Sequence, residues 1–86
     1  MNYHRNPDVY DAGLDGEICI FNPHNSNYVT LNETASFLWE ILETPMNISQ
    51  IEKLVSENYN IEKNFNIVDI KKFLDQAIEN KFIIIK

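Results

Sequence analysis

The sequence predicts a small α+β domain, with a three-stranded antiparallel β-sheet followed by three helices. Two clusters of turn formers, Asp15-Gly16 and Pro23-His24-Asn25-Ser26-Asn27, cut residues 9–31 into three short β-forming runs. From Asn32 onward, three stretches carry apolar residues at helical spacing, each behind a capping residue. At 86 residues the chain has room for one domain and a modest core, and little room for a deep enclosed active site.

Residues 1–8 are polar and end in Asn6-Pro7-Asp8, which reads as a flexible tail and a turn. Residues 9–14 alternate loosely as strand one, and residues 17–22, Glu-Ile-Cys-Ile-Phe-Asn, form strand two. Tyr28, Val29, Thr30 and Leu31 form strand three. Short connections make a meander, so strand two lies in the middle and the other two are edges. The edges differ in character. Strand one carries Pro7, Asp8 and Asp11, features that discourage edge-to-edge pairing, whereas strand three has no charge, proline or glycine. An edge left so bare is an aggregation hazard unless it is covered, either by another part of this chain or by a partner.

Helix one is capped by Asn32, has Glu33 in its first turn, and aligns Ala35, Leu38, Trp39 and Leu42 on one stripe. It ends near Thr44-Pro45, because proline disfavours helical backbone in the residue before it. Asn47-Ile48-Ser49-Gln50 opens helix two as a capping box with Asn in place of Ser or Thr, and Ile51, Leu54 and Val55 supply its apolar face, with Tyr59 near its end. A loop over residues 60–65 leads to helix three, capped by Asn66, with Ile67, Ile70, Phe73, Leu74, Ala77 and Ile78 on a wide apolar face. Phe82-Ile83-Ile84-Ile85 reads as a terminal strand or an extended tail against the core.

The formal charge of −6 opposes binding to free nucleic acid, which needs a basic footprint. Between Arg5 and Lys53 there is no Lys or Arg, while Asp8, Asp11, Asp15, Glu17, Glu33, Glu40, Glu43 and Glu52 all fall there. A solvated acidic face is the commoner reason for such an asymmetry, and the other is a partner over this half that is neutral or basic. No apolar run reaches membrane-spanning length, and the expected location is cytoplasmic, with no membrane partner. A single cysteine, Cys19, excludes an internal disulfide and reads as a small buried hydrophobe. His4, His24 and Cys19 have no ligand spacing of a known kind, so no metal is expected. Two glycines cannot make a phosphate-binding loop, and no paired acid and base stands out, so neither a cofactor nor catalysis is expected.

Several motifs together resemble the PqqD-like family, the stand-alone recognition element for ribosomally made, post-translationally modified peptides. Asn6-Pro7-Asp8-Val9 and Asp15-Gly16-Glu17 resemble its opening and first turn. Leu31-Asn32-Glu33-Thr34-Ala35 followed by Leu38-Trp39-Glu40-Ile41-Leu42 is the most specific stretch. Ile51-Glu52-Lys53-Leu54 with Glu57-Asn58-Tyr59, then Asp69-Ile70 with Phe73-Leu74, follow its last two helices. The family usually has glycine after helix one and near the end of helix three, where this chain has Thr44 and Lys81.

The resemblance implies a winged-helix-like fold and a non-catalytic role, with a precursor's leader peptide adding as a strand beside strand three. The expected contacts are Tyr28, Val29, Thr30 and Leu31, with Ile70, Phe73, Leu74 and Ala77 of helix three behind them. Of these helix residues, Phe73 lies at the margin of the apolar stripe and is the better groove candidate, while Ile70, Leu74 and Ala77 also suit plain core packing. Alternation puts Val29 on the face of Leu31, and both are expected in the core. The implied partners are the leader peptide and a modifying enzyme, either a lasso-type leader peptidase and cyclase or a radical-SAM maturase, and the chain is expected to be monomeric. The competing reading is a winged-helix DNA-binding regulator with helix three in the major groove. Lys71 and Lys72 are a thin basic set for that task.

Overall fold

The computed structural model describes residues 1–15, 17–58 and 67–86. Strands β1 (Tyr3–Arg5), β2 (Tyr10–Leu14), β3 (Glu17–Asn22) and β4 (Asn27–Leu31) precede helices α1 (Glu33–Ile41), α2 (Ile48–Asn58) and α3 (Ile67–Glu79), and β5 (Ile83–Ile85) follows. It is a mixed α+β domain of helices and antiparallel sheets, as expected. The expected turn residue Gly16, Tyr59, the loop over residues 60–65 and the cap at Asn66 lie outside the described residues.

The meander takes the order β2-β3-β4. Asp15, which follows β2, has φ of 51°, the left-handed conformation that Asp adopts more readily than most residues. The register sets Ile20 against Val29 and Ile18 against Leu31, so residues 18, 20 and 22 share the inner face with 27, 29 and 31. Leu31 is sealed at its end of this face, and its carbonyl accepts a bond from the buried Ser36 Oγ at 3.2 Å.

Helix starts follow the sequence closely. Asn32 Oδ1 accepts the Ala35 N–H at 2.8 Å, satisfying one of the unpaired donors of the first turn of α1. Ahead of α2, the Asn47 N–H donates to Gln50 Oε1 and the Gln50 N–H to Asn47 Oδ1, both at 2.9 Å, completing the capping box. Leu38, Trp39, Leu42, Ile51, Val55, Ile70 and Leu74 meet in one buried cluster with Ile20 and Leu31 of the sheet.

Two features differ from expectation. Residues 1–8 are not simply a tail, because Tyr3, His4 and Arg5 form β1, paired with Ile85, Ile84 and Ile83 in a second sheet. The opposite side of Tyr3 exchanges backbone bonds with Met46, at 2.7 and 3.2 Å. Arg5 then locks the strand to the core. Its Nε donates to the Trp39 carbonyl at 2.9 Å, its guanidinium carbon lies 4.7 Å from the Trp39 ring centroid, and Nη1 lies 3.6 Å from Asp11 Oδ2. None of these contacts is local, so the polar run at the N-terminus carries no periodic signal of them.

The second difference is the end of α3, which stops at Glu79. Lys81 takes φ of 66°, the Lys81 N–H donates to the Ile78 carbonyl at 3.1 Å, and the Phe82 N–H reaches back to the Ala77 carbonyl at 2.8 Å. This is a Schellman cap, with buried Phe82 and Ala77 as its apolar pair, built without the usual glycine.

Candidate functional site

The outer edge of β4 has no strand partner among the described residues, since β4 pairs only with β3. On an antiparallel edge, alternate residues turn N–H and C=O groups away from the sheet. Beside this edge a groove of about 260 Å³ separates β4 from α3. Ile20, Val29 and Leu31 form its sheet wall, Phe73, Gln76 and Ala77 its helix wall, and Phe82 contributes at the end.

The groove exists because the helix and strand are pinned together at one end only by polar side chains. Asn27 Nδ2 donates to Asn80 Oδ1 at 3.0 Å, and Asn25 Nδ2 donates to the Asn80 carbonyl at 3.1 Å. The Lys81 carbonyl accepts from Asn22 Nδ2 at 3.0 Å and Asn6 Nδ2 at 2.8 Å. Asn22 is buried, and these bonds, with the His24 N–H on its Oδ1 at 2.9 Å, offset its desolvation. The asparagine-rich turn therefore fixes how far α3 stands from β4. At the other end Leu31 closes onto the core. Between the two, nothing among the described residues fills the space over Val29.

This placement revises several expected site residues. Tyr28 and Val29 border the groove at 73% and 39% exposure, so Val29 is not core although it shares the face of Leu31. The gap between β4 and α3 explains the difference. Thr30 points to the opposite face of the sheet and is exposed, so it does not line the groove. Leu31, Phe73 and Ala77 do line it. Ile70 and Leu74 do not: both are 1% exposed and belong to the core, one helical turn behind the groove wall. Cys19 is only half-buried, on the outer face of the sheet rather than inside.

Sequence reasoning missed Ile20, Asn27, Gln76, Asn80 and Phe82 as lining residues. Ile20 was legible only as a strand residue, and the others required knowing that the β3–β4 turn meets the end of α3. A second depression of about 380 Å³, between the start of α1 and α3, shares Phe73 and Gln76 with the first and is more polar, with Asn32, Thr34, Asp69 and Lys72 on its walls.

A family model described as Coenzyme PQQ synthesis protein D (PqqD) matches residues 17–83, most of the chain. The chain belongs to the PqqD family. No curated protein matches the sequence at a significant level. Two solved structures share the fold of this PqqD family member. "TbiB1 in Complex with the TbiA(beta) Leader Peptide" is similar with a TM-score of 0.80 at 19% identity, covering 93% of each chain. "Lasso peptide synthetase B1 complexed with the leader peptide" has a TM-score of 0.77 at 17% identity, covering 99% of this chain and 100% of the other. Among the described residues no helix is long and apolar enough to cross a membrane.

Proposed function

We propose that this chain binds the leader region of a ribosomally synthesised precursor peptide, as a strand added to β4 in the groove against α3, and presents it to a modifying enzyme. The observation that carries the reading is the edge of β4, unpaired among the described residues, lying directly beside an apolar groove. Strand addition takes its affinity from backbone bonds and its selectivity from pockets for alternate side chains, and this site offers both. The two structural relatives, both complexes with a leader peptide, support the same use of the fold. The role is one of binding, without catalysis, on a winged-helix-like frame. The enzyme served is a lasso-type peptidase and cyclase or a radical-SAM maturase, and the binding unit is a monomer in the cytoplasm.

No observation favours the DNA-binding alternative. The exposed side of α3 offers Lys71 and Lys72 but also Asp69, Asp75 and Glu79, so it presents no basic stripe to a phosphate backbone.

A proline scan of residues 28, 29 and 30 tests strand addition, read by the anisotropy of a fluorescent leader peptide and by circular dichroism. Where the N–H faces outward, proline is expected to weaken binding at least tenfold and leave the native spectrum. At the alternate positions it also removes a bond to β3 and disturbs the fold. Leader affinity that survives every natively folded proline variant excludes this mode of binding.

A further inference from the structure

The outer face of the β2-β3-β4 sheet carries a feature that the groove does not use. The register places Tyr10 opposite Phe21 and Phe21 opposite Tyr28, so three aromatic rings stand in one row across the sheet. The next row on the same face is Ala12, Cys19 and Thr30, which are small and uncharged. Cross-strand packing explains the alignment of the rings. It does not cover them: Tyr10 is 69% exposed, Phe21 39% and Tyr28 73%. Exposed aromatics gathered into one patch mark an interaction surface more often than scattered ones do.

Two observations narrow the occupant. First, both ends of this face are acidic, with exposed Asp8 before β2 and exposed Asp15 and Glu17 around the β2–β3 connection, and residues 6–52 hold no Lys or Arg. At the Asp8 end His24 Nε2 lies 2.8 Å from Asp8 Oδ2, and the Lys81 carbonyl accepts from Asn6 and Asn22, so the acidic character is strongest at Asp15 and Glu17. A second copy of the chain would bring acidic rim against acidic rim, whereas a basic rim would be attracted. Second, Tyr28 borders the groove as well as ending the aromatic row, so the two surfaces are continuous.

We propose that this outer face docks a folded partner protein whose contact patch is apolar and ringed by Lys and Arg, and that the partner sits beside the bound peptide. Given the proposed leader-binding function, on which this identification of the partner rests, it is the enzyme that acts on the precursor. The chain then holds substrate on one side of β4 and enzyme on the other.

The test measures affinity by interferometry for purified modifying enzymes taken in turn, a lasso-type leader peptidase, a lasso-type cyclase and a radical-SAM maturase, with leader affinity measured in parallel. Tyr10→Ser combined with Phe21→Ser is expected to weaken enzyme binding at least tenfold and change leader affinity less than twofold. Asp15→Lys with Glu17→Lys, which touches no core contact, is expected to weaken it at least fivefold, and added NaCl should weaken the wild type. Circular dichroism confirms that each variant is folded. Enzyme affinity unchanged in both variants, or no enzyme binding by the wild type, overturns the proposal. So does sedimentation showing that the wild type dimerises through Tyr10 and Phe21, or binding of this face to phosphatidylcholine–phosphatidylglycerol vesicles. A wild type that binds enzyme through this face but no leader would instead sink the leader-binding function and leave the docking face standing.

Discussion

Strands β1 and β4 are both short and both depend on distant parts of the chain, yet they end in opposite states. β1 is satisfied on each side, by β5 along its length and by Met46 at Tyr3. β4 is satisfied on one side and meets a groove on the other. The closed strand is anchored by a cation over an indole and by charge-assisted bonds to backbone. The open one is held by its hairpin and by neutral asparagine contacts at its start. An edge strand left open is an aggregation hazard, so the contrast points to a use for the open one. Terminal residues close one sheet of this domain, while no described residue closes the other.

Four changes would break or sharpen this contrast. Trp39 ties the closed strand to the meander, since Arg5 stacks on its ring and its Nε1 donates to Asp11 Oδ2 of β2 at 2.8 Å. Trp39→Ala should therefore cost the most, about 3–5 kcal/mol in urea unfolding. Arg5→Ala should cost about 1.5–3 kcal/mol, because it removes charge-assisted bonds, while leaving leader affinity within twofold. A large loss of affinity in that variant would mean that the closed side also shapes the groove. Phe73→Ala should reverse the pattern. Its ring is half-exposed, so stability falls by about 1 kcal/mol or less, whereas leader affinity in a titration should fall roughly tenfold. The smallest effect is a gain: Lys81→Gly relieves a side chain held at φ 66° and should raise stability by about 1 kcal/mol, seen as a higher urea midpoint.

Much of the framework could be read residue by residue. The caps at Asn32 and Asn47, the meander order and the burial of Trp39 depend on neighbours a few positions away, and they follow from spacing and turn chemistry. The bare character of residues 28–31 was visible for the same reason. Val29 was misjudged as core because alternation names a face but does not say how far that face is covered. Ile70 and Leu74 were drawn into the site because the stripe on α3 is wide, and only packing divides it into a buried half and a groove wall.

By itself the sequence determined the three meander strands and their order, the three helical stripes, the caps at Asn32 and Asn47 and the one strand with nothing to repel a partner, because each is an interaction over a few residues. The tertiary structure alone decided that Tyr3–Arg5 becomes a strand against Ile83–Ile85, and that Asn80 and Lys81 clasp the β3–β4 turn. It also decided that Phe73 and Phe82 face a gap rather than each other's neighbours across a closed core. The strand pairing and the clasp join residues more than fifty positions apart, and the geometry of all three is set by how helices and sheet fill space together. No local pattern of residues encodes that distance.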